Sequence, residues 1–419
     1  MRITTCLLDL SRCVTDAADL VSPAVVDHHR RTAYLTEQIG RAMGLDADIL
    51  GRAVLAAALH DIGAFSLGER LRALDFDRHL LEHAESGYRL LREFDPFAEV
   101  APIVQHHHLD WEFGRGAEYE SEPVPREAAL VYLADRVAVL FRVGRDPLAQ
   151  RTAIVCAIRA AEGERFHPEV VAAFVAVARS DSFWFGLAEG VTPLEPGHGC
   201  DLPVGAAMEI DAEAFASMLA HIVDFRSHFT ATHSCATAAV TDVLAGQLGV
   251  SPATRHELRV AGLLHDLGKL GVPKEILEKP GPLTVTERQV VDAHSYHSGR
   301  ILRTIPELLR VADWVTHHHE RMDGSGYPDR LAAADLGLET RVIAVADIFT
   351  ALTEDRPYRE GLDRRGVLRA MNEMVVQGHI DPVVVDVLGD VVEDVSCAVD
   401  SAQEMALAAR DAVLATPVC

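Results

Sequence analysis

The 419-residue chain carries 63 acidic against 39 basic residues, a formal net charge of −24, and 49% of it is hydrophobic. That length exceeds one ordinary core and predicts two or three domains. The charge argues against nucleic-acid polymers and anionic membrane surfaces as partners. Seven cysteines (Cys6, Cys13, Cys156, Cys200, Cys235, Cys397, Cys419) are scattered without a C-x-x-C pair, the usage expected of reduced thiols in the cytoplasm. No apolar run approaches the roughly 18 residues of a membrane span, and the N-terminus lacks a signal-peptide pattern. Aromatics are scarce at 6%, which favours helices over strands.

Taken in order, the segments read as amphipathic helix broken by histidines. His28 and His29 precede "TAYLTEQIGRAMGL", whose apolar residues recur at i, i+3, i+4 and i+7 before a glycine. Next come "LAAALHDIG" with His60 and Asp61, "EHAESGYRLL" with His83, the run His106-His107-His108, and "VYLADRVAVL" with Asp135. "FHPEVVAAF" follows, then a Gly- and Pro-rich stretch, "GLAEGVTPLEPGHGCDLPVG", with no helical period. Beyond it the order starts again. His233 precedes "TAAVTDVLAGQLGV", then come "VAGLLHDLG" with His265 and Asp266, "DAHSYHSGRIL" with His294, His317-His318-His319, "IAVADIFTAL" with Asp347, and "IDPVVVDVL". No convincing alternating strand appears.

The spacing makes this a duplication. His28 to His60 and His233 to His265 are both 32 residues, and His83 to His107 and His294 to His318 are both 24. The copies span about 20–185 and 207–400. The expected organisation is all-α, two tandem helical bundles: an N-terminal domain 1–190, a linker 191–206 and a C-terminal domain 207–419.

Histidine and aspartate without cysteine suit iron, manganese or a similar divalent ion. One buried histidine is more often a hydrogen-bonded core residue than a ligand, but seven such residues on five segments, repeated in a second copy, point to a metal centre. In the C-terminal copy the candidates are His233, His265, Asp266, His294, His318, His319 and Asp347. Neighbouring helical residues diverge by about 100°, so His265 can hold one ion while Asp266 bridges to a second. Two ions roughly 3.5–4 Å apart would activate water for in-line attack at phosphorus. Lysine occurs only at Lys269, Lys274 and Lys279, all just after this dyad. Because Lys and Arg differ at proton-transfer sites, Lys269 stands out.

The stretches "LLHDLGKLGVPKEILEKPGPLT", "HHERMDGSGYP" and "VIAVADIFTALTEDRPYR" resemble the HD superfamily of metal-dependent phosphohydrolases, and its HD-GYP branch in particular, over about 225–390. The resemblance implies an HD-type bundle that hydrolyses a bacterial signalling nucleotide, cyclic di-GMP or 3′,3′-cyclic GMP-AMP, to a linear dinucleotide. It implies that the seven C-terminal residues are metal ligands and that Asp266 also orients or deprotonates the attacking hydroxide. Lys269 would contact the scissile phosphate and protonate the leaving oxygen. Tyr327, in Gly326-Tyr327-Pro328, would contact the nucleotide. Arg356 and Arg359 of "RPYR" would grip its phosphates, against the plainer reading of a solvated loop. Two departures matter. Phe229 stands where some members place a glutamate ligand for a third metal, so two metals are expected. Thr350 replaces a usual aspartate that is not a ligand, with a modest effect expected.

The N-terminal copy keeps His28, His60, Asp61, His83, His107, His108 and Asp135 as a second candidate metal set. It loses the substrate parts: Ala64 stands for Lys269, "WEFGRGAEYESEP" for the GYP loop, and nothing like "RPYR" follows Asp135. It could act on another substrate, sense a ligand or gas, or serve as a dimerisation and regulatory module, a homodimer being one expected arrangement. Two alternatives stand beside the phosphodiesterase reading. A cyclic-dinucleotide receptor of weak activity is opposed by Lys269, and an HD hydrolase for another nucleotide is opposed by the GYP loop.

Overall fold

Helix caps and glycine stops divide the chain into its elements. In the computed structural model, residues 1–20, 26–64, 81–190, 192–194, 201–225, 232–355 and 360–414 are described. They fall into two compact units. One is Thr4–Glu209; the other is Ile210–Cys419, with Met1–Ile3 joined to it.

The first unit carries helices Leu7–Asp19, His28–Ala42, Ala47–Leu59, Leu81–Arg92, Asp95–Ala98, Ala101–Gln105, Arg126–Leu140, Pro147–Ala160, Pro168–Val177 and Asp181–Glu189. The second carries Ala212–Asp224, His233–Gln247, Pro252–Leu264, Lys274–Leu277, Val285–Leu302, Leu309–His317, Leu338–Thr353, Arg364–Val376, Pro382–Asp390 and Val392–Leu414. The architecture is the all-α one that the helical periodicity implies. Strand is confined to short pieces, among them the antiparallel pair Glu118–Tyr119 and Glu122–Pro123. Glu120 and Ser121 turn that hairpin with φ of 50° and 70°, as the tight turns that match strand twist require. A two-residue strand is too short for alternation to be visible in the sequence.

Local chemistry sets the helix ends. Asp46 and Ser251 cap the two helices that deliver the His-Asp dyads, accepting from the N–H of Ile49 at 2.9 Å and of Thr254 at 3.2 Å. Thr284 and Glu287 form a capping box at the start of Val285–Leu302. The helices that begin at His28 and His233 are stopped by Gly44 and Gly249, each at φ +70°. Leu45 and Val250 N–H return to the carbonyls of Gly40 and Ala245, satisfying carbonyls that the helix end leaves over.

Apolar stripes hold each bundle. Leu35 and Ile39 pack with Leu133, Val137, Phe174 and Trp184 in the first unit. Ala236, Val240 and Leu244, one per helical turn, pack with Val345, Phe349, Met371 and Leu388 in the second. Each fully buried Leu, Ile, Val, Phe or Met among them contributes roughly 1.5–3 kcal/mol. Among the described residues no single helix is long and apolar enough to cross a membrane.

The glycine after each dyad is a packing requirement. A Cβ on Gly63 would run into the carbonyl of His83, and one on Gly268 into that of His294. Gly268 N–H donates to Ser298 Oγ at 2.7 Å, and the same hydroxyl donates to His265 O at 2.9 Å. The dyad turn is thereby tied to the helix bearing the next histidine. Gly268→Ala is therefore expected to destabilise the chain by about 1–3 kcal/mol through overpacking, read as a lower denaturation midpoint at unchanged m-value.

Candidate metal centre

Five separate segments of the second unit converge. His233 opens its helix, His265 and Asp266 follow the end of Pro252–Leu264, and His294 lies on Val285–Leu302. His318 and His319 follow Leu309–His317, and Asp347 lies on Leu338–Thr353. His233, His265, Asp266, His294 and His318 are at most 2% exposed, whereas 26% of the His319 side chain and 10% of that of Asp347 reach solvent.

The ring orientations share one device. Nδ1 of His265, His294 and His318 lies 2.8, 2.6 and 2.7 Å from the carbonyl three residues earlier, those of Gly262, Val291 and Val315. A carbonyl can only accept, so each Nδ1 carries a hydrogen and each Nε2 is the ring atom turned inward. Those three Nε2 atoms and Asp266 Oδ1 are buried and complete no hydrogen bond among the described residues. Buried polar atoms are nearly always paired. Four orphans facing one small space are what metal ligands look like.

Asp266 divides that space. Its Oδ2 lies 3.3 Å from His265 Nε2, 3.5 Å from His233 Nε2 and 2.6 Å from Lys269 Nζ, while its Oδ1 lies 3.3 Å from His294 Nε2. Ligand atoms gather accordingly into His233–His265–Asp347, His265–Asp266–His318 and His294–His318–His319. The residues fit divalent ions, with the Asp266 carboxylate between the groups.

Titration directions follow the same geometry. Burial lowers His265 and His233, but the Asp266 charge beside His265 and the Glu354 charge beside His233 reverse this, to about 10 and about 9. Burial pushes His294 down to about 3 and His319 to about 4. Burial would raise Asp266 and Asp347, yet neighbouring imidazoles hold both well below the usual carboxylate range.

A cavity of about 390 Å³ opens on His318 and His319 and is lined by Arg288, Asp292, Arg321, Tyr327, Ala344, Ile348, Met374, His379 and Ile380, among others. Tyr327 lies against His319, ring centroids 4.9 Å apart, and its N–H reaches His319 O at 3.3 Å. The loop is held by Glu320, 4% exposed, which accepts from Asp329 N–H at 2.6 Å and Leu331 N–H at 3.1 Å. Thr350, one turn after Asp347, is buried and donates to Ala346 O at 3.0 Å. Phe229, Arg356 and Arg359 lie outside the described residues.

Sequence reasoning missed several residues here. Glu354 accepts from His233 Nδ1 at 2.9 Å; it stands two helical turns after Asp347, a spacing that could have exposed it. Asp224 is 1% exposed and accepts from Ser234 N–H and Oγ, and burial pushes it up to about 7. Asp19, nine residues before His28 as Asp224 is before His233, is likewise raised by burial to about 7. The duplication carried that signal. Arg288 and Asp292 had none, because only the folded chain turns them toward the cavity.

The N-terminal candidates assemble the same way. Asp61 Oδ2 lies 3.4 Å from His60 Nε2, and its Oδ1 lies 3.1 Å from His83 Nε2. Asp135 Oδ1 lies 3.1 Å from His28 Nε2. Ligand groups form at His28–His60–Asp61 and at Asp61–His83–His107–His108.

The Glu354 contact predicts a measurable effect. Glu354→Gln should weaken metal affinity by about 10–100-fold, the usual cost of losing a carboxylate behind a ligating histidine. Since a cation must displace the protons that His233 and His265 hold below about 9 and about 10, affinity for Mn(II) should rise with pH up to that range. Calorimetric titration in buffers of differing ionisation enthalpy reads both effects; a pH-independent affinity would contradict the assignment.

Comparison with known proteins identifies the fold. Models of the HD domain match residues 25–140 and 217–384. A 3′,3′-cGAMP-specific phosphodiesterase of Vibrio cholerae is 31% identical over 391 residues, covering 90% of this chain and 89% of that protein. A cyclic di-GMP phosphodiesterase of Pseudomonas aeruginosa is 42% identical over 155 residues, 37% of each chain. The crystal structure of a cyclic GMP-AMP specific phosphodiesterase of Vibrio cholerae superposes with a TM-score of 0.65 at 25% identity, over 93% of this chain and 98% of that one. Two copies of one divalent-metal fold, aligned end to end with such relatives, make this chain a member of the HD-domain family, with two HD domains in tandem and an HD-GYP signature in the second.

Proposed function

We propose that the second unit hydrolyses a 3′,3′-cyclic dinucleotide to its linear form, using two divalent ions held by His233, His265, Asp266, His294, His318, His319 and Asp347. The observation that carries this reading is the set of orphaned ring nitrogens grouped around Asp266 beside a cavity lined by Arg288, Arg321 and Tyr327. Iron or manganese suits the donor set. When bound, such ions supply a Lewis acid and lower the pKa of water.

The chain's own residues do the rest. Asp266 accepts from Lys269 Nζ at 2.6 Å, so the ammonium proton is held at the edge of the centre, placed to pass to a leaving oxygen. Asp266 Oδ1, without a hydrogen bond, is placed to orient an attacking oxygen. Tyr327 and the cavity arginines flank the entrance, where guanidinium groups meet phosphate well. Arg356 and Arg359 join them in this reading. A local cluster of cations offsets the repulsion that the overall charge of −24 exerts on an anionic substrate.

The relatives aligned across both units act on 3′,3′-cGAMP by name, which favours that substrate over cyclic di-GMP. A cytoplasmic setting accords with Cys6, Cys13, Cys156, Cys235 and Cys397, none of which forms a disulfide among the described residues.

The test is direct. Protein reconstituted anaerobically with Fe(II) or Mn(II) should convert 3′,3′-cGAMP to a linear dinucleotide on chromatography. Asp266→Ala should abolish turnover, and Lys269→Met should lower kcat by about 10²–10⁴ with little change in metal content. An Asp266→Ala protein of undiminished activity would remove the proposal.

A further inference from the structure

The two units differ where the cavity should be. In the second unit, Ala344 and Ile348 line the cavity from the helix that carries Asp347, one turn before and one residue after it. The duplication puts Tyr132 and Arg136 at those places around Asp135. Both are among the largest fully buried side chains of the chain. Tyr132 meets His108 edge-on, centroids 5.6 Å apart, and donates to Asp110 Oδ1 at 3.0 Å while accepting from Arg165 Nε at 2.7 Å. Phe166, which stands where Ile380 lines the cavity, closes on Tyr132 at 5.4 Å. Arg136 donates from Nε and Nη2 to Asp135 Oδ2 at 2.9 and 2.6 Å. The room a nucleotide needs is filled by side chains that are tied in place.

The ligand atoms behind this plug remain poised. Nε2 of His107 and Oδ1 of Asp61 are buried and complete no hydrogen bond among the described residues. His107 Nδ1 donates to Val104 O at 2.6 Å, which turns its Nε2 lone pair inward. His83 Nε2 lies 3.1 Å from Asp61 Oδ1 and 3.2 Å from His108 Nε2. A tetrahedral ion with bonds of about 2.05 Å sets its ligand atoms about 3.3 Å apart. The ligand atoms of Asp61, His83, His107 and His108 all lie within 4.8 Å of one another, and the four residues are 0–4% exposed. Four protein ligands so deeply buried can fill a tetrahedral shell, which is the arrangement of a structural ion.

We propose that the first unit is a sealed metal site: Asp61, His83, His107 and His108 hold a divalent transition ion that stabilises the fold, and Tyr132 and Arg136 exclude nucleotide from it. This goes beyond the hydrolytic reading of the second unit and does not depend on it. Metal binding to such a site is folding free energy, so the ion supports the bundle without taking part in turnover.

Full-length protein carrying Asp266→Ala and His318→Ala, to disable the second centre, provides the test. Loaded anaerobically with Co(II) and desalted, it should retain the ion with the strong visible absorption of four-coordinate cobalt. Prolonged chelation should lower Tm by about 5 °C or more, in line with roughly 1–2 kcal/mol. Adding His83→Ala and His108→Ala should abolish the absorption. Because those variants could unfold, Tyr132→Ala with Arg136→Ile offers a second arm: the ligands stay, and a chelator should remove Co(II) at least tenfold faster. No retained cobalt overturns the site, and an unchanged chelation rate overturns the seal. Turnover of the unmodified chain bears only on the second unit, so the two readings fail separately.

Discussion

A single carboxylate placed between two groups of imidazoles is the constraint on which the rest of the second unit depends. Asp266 turns Oδ2 toward His233 and His265 and Oδ1 toward His294. Neighbours at the end of a helix diverge by about 100°, which lets His265 and Asp266 approach this space from different directions. Gly268 then lets the turn press against the His294 helix, and Ser298 bonds both sides. Caps, glycine and hydroxyl all serve one carboxylate orientation.

Burial gives this centre its chemistry. Carboxylates and imidazoles taken from water cost free energy unless something answers their charge. Some of that answer comes from the chain: Lys269 for Asp266, and Glu354 for His233. The ring nitrogens turned inward by backbone carbonyls complete no hydrogen bond among the described residues, and in the proposed reading a cation answers them. The fold is arranged so that its stability and its metal affinity draw on the same groups.

Comparing the two units separates ligand geometry from access. The dyad, the inward-turned rings and an aspartate whose two oxygens face different histidines recur in both. What differs is the lining, aliphatic around Asp347 and filled by Tyr132 and Arg136 around Asp135. Two side chains on one helix decide whether such a centre can meet a substrate. In the first unit the GYP loop is replaced by an exposed 3₁₀ turn and a two-residue hairpin.

By itself the sequence determined the duplication and the helical class, and it marked the histidines and aspartates that the fold brings together. Period-3.6 stripes, capping residues and repeated His-Asp spacing are local or one-dimensional signals, and they survive without coordinates. The structure places Lys269 against Asp266, as its position three residues on allows. Tertiary structure alone decided the rest. Which oxygen of Asp266 faces which ring, the support of Glu354 and Glu320, and the aim of Arg288 and Asp292 into the cavity depend on helices far apart in the chain. Arg136 shows the limit most plainly. As a residue after a ligand it reads as an ordinary cation, and only packing from several helices turns it into a buried plug paired with Asp135.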